Sequence, residues 1–154
     1  MDKTDSEYQG VKGWLLLLCV SLAILDPFAG LLALTSTTNA LRLHFESDPG
    51  LFRLIIISGI CNTCLIVYSL YAGVSLWRRV SDAVGTAKKY FRTIFVYSFV
   101  SIFLPGLAGI SEANRSLIGD VYPLNGLLVM AYACLWYLYL GRSRRVRATF
   151  AGGE

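Results

Sequence analysis

Four apolar blocks separated by short polar segments dominate the pattern of the chain. A helix needs about 20 apolar residues to cross the roughly 30 Å hydrocarbon core of a bilayer, and each block reaches that length. The pattern therefore predicts an all-α integral membrane protein, a four-helix bundle in a single membrane domain (1–154). The predicted spans lie near residues 13–34, 51–77, 91–110 and 121–140, and residues 141–154 form a basic tail.

Two of the spans carry helix-disturbing residues. Asp26-Pro27 interrupts the first span and Pro105-Gly106 lies within the third, and proline removes a backbone donor wherever it stands inside a helix. The third helix is expected to begin early, with Ser81 or Asp82 as its cap. We expect the first span to be retained, because its apolar run is longer than the 7–15 residues of a cleaved signal core.

The basic residues predict the orientation, because Lys and Arg favour the cytoplasmic ends of membrane helices. With four spans both termini lie on one side, and both are predicted to be cytoplasmic. Aromatic residues 77, 90, 136, 137 and 139 also cluster near this side and predict an interfacial belt. The terminal side carries Lys3, Lys12, Arg78, Arg79, Lys88, Lys89, Arg92, Arg142, Arg144, Arg145 and Arg147, whereas the opposite side carries Arg42, Arg53 and Arg115.

The composition supports the membrane assignment. Charged residues make up 16% of the chain, against about 25% in soluble domains, and the mean hydropathy is +0.57. The net charge of +4 comes from basic residues beside the apolar blocks, with no basic face typical of nucleic-acid binding, so no nucleic acid is predicted as a partner. The lipid bilayer is the predicted partner.

Three stretches together resemble a known family. They are residues 10–17 (GVKGWLLL) with the following Asp26-Pro27, residues 86–91 (TAKKYF) after Leu76-Trp77, and residues 143–150 (SRRVRATF). The chain resembles domain of unknown function 2569 (DUF2569), an uncharacterised family of bacterial membrane proteins. The resemblance implies a four-helix protein of the bacterial inner membrane and no assigned activity. A small residue is more usual before the proline in that family, so a role for Asp26 would be particular to this protein.

Asp26 is the acidic residue inside a predicted span, about 20 Å along the first helix from Gly13 and so in the half of the bilayer away from the termini. A charge at the bilayer centre costs roughly 2.5–3.5 kcal/mol, so it should face the bundle or water. Either it is a protonatable or ligand-binding site, or it merely ends or kinks the helix at Pro27. Arg53 is a candidate counter-charge, and Asn62 completes the candidate polar site.

Cys61 and Cys64 form a C-x-x-C pair on one face of the second span, where neighbouring thiols can cycle through a disulfide. The alternative is that they are small packing residues, because a thiol in apolar surroundings is inert. Arg78, Arg79, Lys88, Lys89, Arg142, Arg144, Arg145 and Arg147 serve as topology signals, anionic-headgroup contacts, or both.

Three functions are compatible with this pattern, and the first is favoured. It is a non-enzymatic accessory or interaction protein of a membrane complex, which pairs with another membrane protein or with itself as a homo-oligomer. The alternatives are a small transporter or channel subunit that uses Asp26, and a membrane thiol oxidoreductase that uses Cys61 and Cys64. The sequence predicts no catalytic residues, no cofactor and no metal site, and therefore no enzyme.

Overall fold

The computed structural model describes residues 13–42, 49–107 and 121–150, and all of its regular elements there are helical. The predictions that concern Lys3, Lys12 and Arg115 lie outside the described residues. The helices are α1 (Trp14–Val20), a π-helical segment (Ser21–Leu25), α2 (Asp26–Leu41), α3 (Pro49–Trp77), α4 (Ala83–Leu107), α5 (Val121–Arg142) and α6 (Arg144–Phe150).

Among the described residues, four helices are long and apolar enough to cross a membrane: Trp14–Asn39, Pro49–Trp77, Ala83–Leu107 and Pro123–Arg142. The first of them joins α1, the π-helical segment and α2 into one continuous span. Large apolar side chains such as Ile60, Val67 and Leu128 are each 62% exposed on the outside of the bundle. In lipid this exposure carries no penalty, since the acyl chains are as apolar as the side chains.

The helices differ from the sequence-based limits mainly where a span meets a loop. The first span continues to Leu41, seven residues beyond the predicted end at 34, and α4 begins at Ala83, eight residues before 91. Asp82 stands immediately before α4 with a φ of 63°, and a side chain at Gly85 would collide with its carboxylate. The Asp82 carboxylate thus packs on the first turn of α4 at Gly85, and it also forms an exposed ion pair with Lys89 at 3.7 Å. These two contacts mark the start of α4.

Two ends of the bundle can be distinguished. The basic end carries Trp14, the loop between α3 and α4, and α6; the opposite end carries the end of α2 and the start of α3. At the basic end the first and fourth spans meet, because the rings of Trp14 and Trp136 pack with centroids 6.4 Å apart. Along the rest of the bundle α2 packs on α3, α3 on α4 and α4 on α5, whereas close backbone contacts between the first and fourth spans are few along their whole described length. The first and fourth spans are therefore joined mainly through side chains such as these two tryptophans.

The tail folds back on the bundle as a short helix. Ser143 precedes α6 and its hydroxyl accepts a hydrogen bond from the Val146 N–H at 3.4 Å, as a helix cap does. Val146 is 2% exposed and joins the apolar core, and Phe150 packs against the same core one turn later. Arg144 and Arg147 stay exposed on the other side of the helix. The tail is thus amphipathic, with an apolar face that closes the basic end of the bundle.

Candidate functional site

Asp26 is the first residue of α2, and its side chain faces α4 and α5 with both carboxylate oxygens hydrogen-bonded. The Tyr90 hydroxyl donates to Oδ2 at 3.1 Å and the Tyr132 hydroxyl donates to Oδ1 at 2.8 Å. Ser21 Oγ lies 2.7 Å from the Tyr132 hydroxyl. Because that hydroxyl has one proton and places it on Asp26, Ser21 is the donor in this pair. A chain of hydroxyl groups therefore orients the carboxylate inside the membrane.

Asp26 lies closer to the middle of the bundle than the sequence predicts. Tyr132 stands halfway along α5, so Asp26 lies near the middle of the bundle rather than in the half away from the termini. Arg53, the predicted counter-charge, is exposed near the start of α3 and is not among the residues around Asp26. Arg53 lies nine residues before Asn62, which places it about 13 Å nearer the start of α3. Hydroxyl groups of tyrosine and serine, not a basic side chain, are the partners that the structure gives Asp26.

The π-helical segment explains how the chain places Asp26 there. The Asp26 N–H donates to the Ser21 carbonyl, five residues back, so the helix is wider at this turn. Pro27 has no N–H, and the Leu22 carbonyl consequently lacks a donor within its own helix. The Ser69 hydroxyl on α3 donates to that carbonyl at 2.7 Å and replaces the missing bond. Asp26 is thus presented to the bundle interior by a break that a neighbouring helix repairs.

A cavity of about 320 Å³ begins at Asp26 and extends between the spans. All four spans contribute to its wall, and along each of them the lining runs from the level of Asp26 toward the opposite end. In α2 it reaches Thr38, 12 residues beyond Asp26, a distance of about 18 Å. The lining residues include Asp26, Gly30, Thr38, Ile55, Ser58, Asn62, Ile66, Ser69, Tyr90, Ile94, Ser101, Asn125, Val129 and Tyr132. The cavity is therefore long, narrow and directed away from the basic end.

The described part of the basic end is packed with apolar side chains. Leu15, Leu18, Leu76 and Phe91 are at most 1% exposed and form one apolar cluster with the ring of Trp136. The ring of Phe91 packs edge-on against that of Tyr132, a hydrogen-bond partner of Asp26, with centroids 6.1 Å apart. A tightly packed apolar layer of this kind leaves no room for water. Asp26 is consequently the floor of a cavity that is closed on one side.

Asn62 lines the same cavity as Asp26. Its side-chain amide donates to the Gly30 carbonyl at 3.1 Å and so ties α3 to α2. A methyl group at Gly30 would lie 3.0 Å from the Ile66 side chain, so the two helices are in close contact at this point. The polar site is thus Asp26 and Asn62 with tyrosine and serine hydroxyls, without Arg53.

The candidate redox pair lies away from this polar group. Cys61 is half-buried, Cys64 is exposed on the outside of α3, and both are free thiols. Neither lines the cavity. The pair therefore shares no surface with Asp26, and its redox role stays a prediction.

Most of the basic residues singled out by the sequence lie exposed at the basic end, with Lys88 half-buried. The Arg92 guanidinium donates to the Tyr137 hydroxyl at 3.3 Å across α4 and α5. Their positions at one end suit both topology determination and contact with anionic headgroups. The described residues are Arg78, Arg79, Lys88, Lys89, Arg142, Arg144 and Arg147, while the side chain of Arg145 lies outside the described part of the chain.

Sequence reasoning missed the tyrosines of the site. It assigned Tyr90 and Trp136 to an interfacial belt, yet they are 1% and 5% exposed and point into the bundle. The position of Tyr90 relative to the helix start could have shown this, because Tyr90 lies seven residues after Ala83, nearly two turns inside α4. The early start of α4, which the sequence did predict, moves Tyr90 from the boundary into the interior.

Together, four apolar spans with a polar interior define a multi-pass, all-helical membrane protein. The family model "Protein of unknown function (DUF2569)" matches residues 8–151 of the 154-residue chain. The chain therefore belongs to this family, as the sequence motifs predict, and the family has no known function. Comparison with curated proteins finds no match, and comparison with solved structures finds none either.

Proposed function

We propose that this protein is a non-enzymatic protein of the bacterial inner membrane that binds a small solute in the cavity above Asp26, as a transporter or channel subunit does. The observation that carries the proposal is that all four spans line one cavity that ends at a doubly hydrogen-bonded carboxylate. Intramembrane ionisable residues that face such a cavity mark ligand or ion pathways. The alternative role of Asp26, to end or kink the helix at Pro27, requires neither the two tyrosine hydrogen bonds nor a cavity beside the carboxylate.

The predicted orientation gives this cavity a direction. With the basic end in the cytoplasm, the described part of the cavity extends from Asp26 toward the periplasmic side, and the apolar layer under Asp26 lies on the cytoplasmic side. Such an arrangement corresponds to one state of an alternating-access cycle, in which a midplane site is reached from one side at a time. The same geometry suits a periplasm-facing binding subunit of a larger complex.

Filling the cavity should abolish solute retention. Gly59 lines the cavity, and a methyl group there would lie 3.8 Å from the Leu34 side chain, so Gly59→Leu can add its side chain to the cavity. Gly141, where an added Cβ atom would meet nothing within 4 Å, supplies the matched control Gly141→Leu. Nanodisc-embedded proteins are incubated with a small-molecule cell extract, and retained solutes are identified by mass spectrometry. A solute held by wild type and Gly141→Leu but lost in Gly59→Leu is expected; identical retention by all three contradicts the proposal.

Association with another membrane protein, or with a second copy, is the second candidate. The observation that favours it is that close backbone contacts between the first and fourth spans are few along their whole described length, so that a further helix can pack between their outer faces. Purification from the native membrane in a gentle detergent distinguishes the two candidates. A stoichiometric protein partner whose presence does not depend on Gly59 would favour association over solute binding.

A further inference from the structure

The lining of the cavity indicates the charge of its ligand. Of the described residues that form its wall, Asp26 is the one with a charged side chain, and neither lysine nor arginine contributes to the wall. An ionised carboxylate offers about four lone-pair positions, and two of them accept the hydroxyl protons of Tyr90 and Tyr132. The hydroxyl groups of Ser21 and Ser69 also lie within reach of this carboxylate, and a stronger, charged donor from the cavity can take their place. A ligand that donates hydrogen bonds and carries a positive charge complements this floor.

The aromatic rings favour the same charge. Tyr90 and Tyr132 both line the cavity and flank Asp26. The face of a tyrosine ring attracts an ammonium group within about 6 Å, and the attraction grows when the site excludes water. Both tyrosine hydroxyls donate to the carboxylate, so the oxygen ends of the two rings stand beside it, while the rings themselves pack on Phe91. The floor therefore combines an anionic acceptor with two adjacent aromatic side chains.

The shape of the cavity restricts the rest of the ligand. About 320 Å³ spread over a length of about 18 Å makes a narrow channel rather than a rounded pocket. Above the floor most of the exposed wall surface is apolar, from side chains such as Ala33, Ile66 and Val129, with small polar groups such as Ser58 and Asn125 between them. A chain-like apolar body fills such a space and removes apolar surface from water.

We propose that the cavity binds a linear protonated amine, with its ammonium group on Asp26 between Tyr90 and Tyr132 and its apolar chain directed toward the opposite end. This inference rests on the proposed function and adds the chemical class of the ligand. No bond is made or broken, since the ligand enters and leaves already protonated. The neutral alcohol and the anionic carboxylate of the same chain length lack one or both of the features that the floor recognises.

Three probes of equal chain length separate charge from apolar burial: n-hexylammonium, n-hexanol and hexanoate. Each is titrated by calorimetry into the full-length protein in nanodiscs. Wild type and Gly141→Leu should bind n-hexylammonium saturably, and Asp26→Asn should weaken this binding at least about tenfold, since hydrogen bonds to charged groups are the strong ones. Gly59→Leu keeps Asp26 and should remove the binding, which covers the case in which Asp26→Asn fails to fold.

The outcomes distinguish the ligand class from the proposed function. If n-hexanol or hexanoate binds as tightly as n-hexylammonium, independently of Asp26 but dependent on Gly59, the amine class is overturned while solute binding in the cavity stands. If wild type gives no saturable n-hexylammonium binding, or if Gly59→Leu binds it unchanged, the amine proposal is overturned outright. Binding by wild type that falls in both variants supports it.

Discussion

Replacing Gly73 with alanine should lower the free energy of unfolding by about 1–3 kcal/mol, the range for overpacked sites. A Cβ atom at this position would lie 2.9 Å from the backbone nitrogen of Ala23 and 3.1 Å from the Cβ atom of Leu22. Backbone cannot rotate away as a flexible side chain can, so α3 must move from the first span. Because Ser69 lies one turn before Gly73, that movement also pulls its hydroxyl from the Leu22 carbonyl.

The measurement is reversible unfolding in mixed micelles, followed by circular dichroism. Gly141→Ala is the control, since nothing lies within 4 Å of its Cβ position. There alanine should stabilise the helix by about 0.5–1 kcal/mol, because glycine is the poorer helix former. The two alanine substitutions are thus expected to act with opposite signs. Equal effects at Gly73 and Gly141 would mean that α3 and the π-helical segment are not in close contact.

Replacing Ser69 with alanine should destabilise the protein by about 1–2 kcal/mol, because the Leu22 carbonyl would be left without a donor inside the membrane. The size of this loss should depend on residue 27. Pro27→Ala restores a backbone N–H that can donate to the Leu22 carbonyl, as the five-residue register of the neighbouring turn implies. The effect of Ser69→Ala should therefore shrink in the Pro27→Ala background.

A double-mutant cycle measures this dependence. The coupling free energy between Ser69 and Pro27 should be at least about 0.5 kcal/mol, the size seen for residues that share a hydrogen-bond network. Ser75→Ala is the matched control, since the buried Ser75 hydroxyl donates within its own helix to the Tyr71 carbonyl, at 2.7 Å. It should not couple to Pro27. Strictly additive effects of Ser69→Ala and Pro27→Ala would contradict the repair of the broken helix by Ser69.

Much of the fold follows from the sequence because the membrane imposes simple rules. Long apolar runs predict spans, and an interior polar residue such as Asp26 predicts an inward-facing site. Ser69-x-x-x-Gly73 has the small-x-x-x-small spacing that lets membrane helices approach closely, and the structure places Ala23 against Gly73. These features are local in sequence, so a single chain reveals them.

The partners of Asp26 were not predictable in the same way. Tyr90 and Tyr132 are 64 and 106 residues away from it, and their contact depends on how α4 and α5 are rotated about their axes. Charge complementarity favoured Arg53 as the partner, whereas long apolar helices keep that side chain at the opposite end. The depth of Asp26 was also misjudged, because the distance counted from Gly13 takes no account of the register between helices. Side-chain direction and helix register are tertiary properties.

The central claim of the proposal is that the cavity is reached from the end opposite the basic loops and is closed below Asp26. The most direct test replaces the four native cysteines with alanine and introduces Ser58→Cys or Ser101→Cys in the wall, with Val67→Cys on the outer surface and Ala87→Cys in the apolar layer as controls. A membrane-impermeant cationic thiol reagent is then added from one side at a time. We predict labelling at positions 58 and 101 from the periplasmic side alone, and none at 67 or 87. Labelling of the wall positions from the cytoplasmic side, or equal labelling at 67, would contradict this access route.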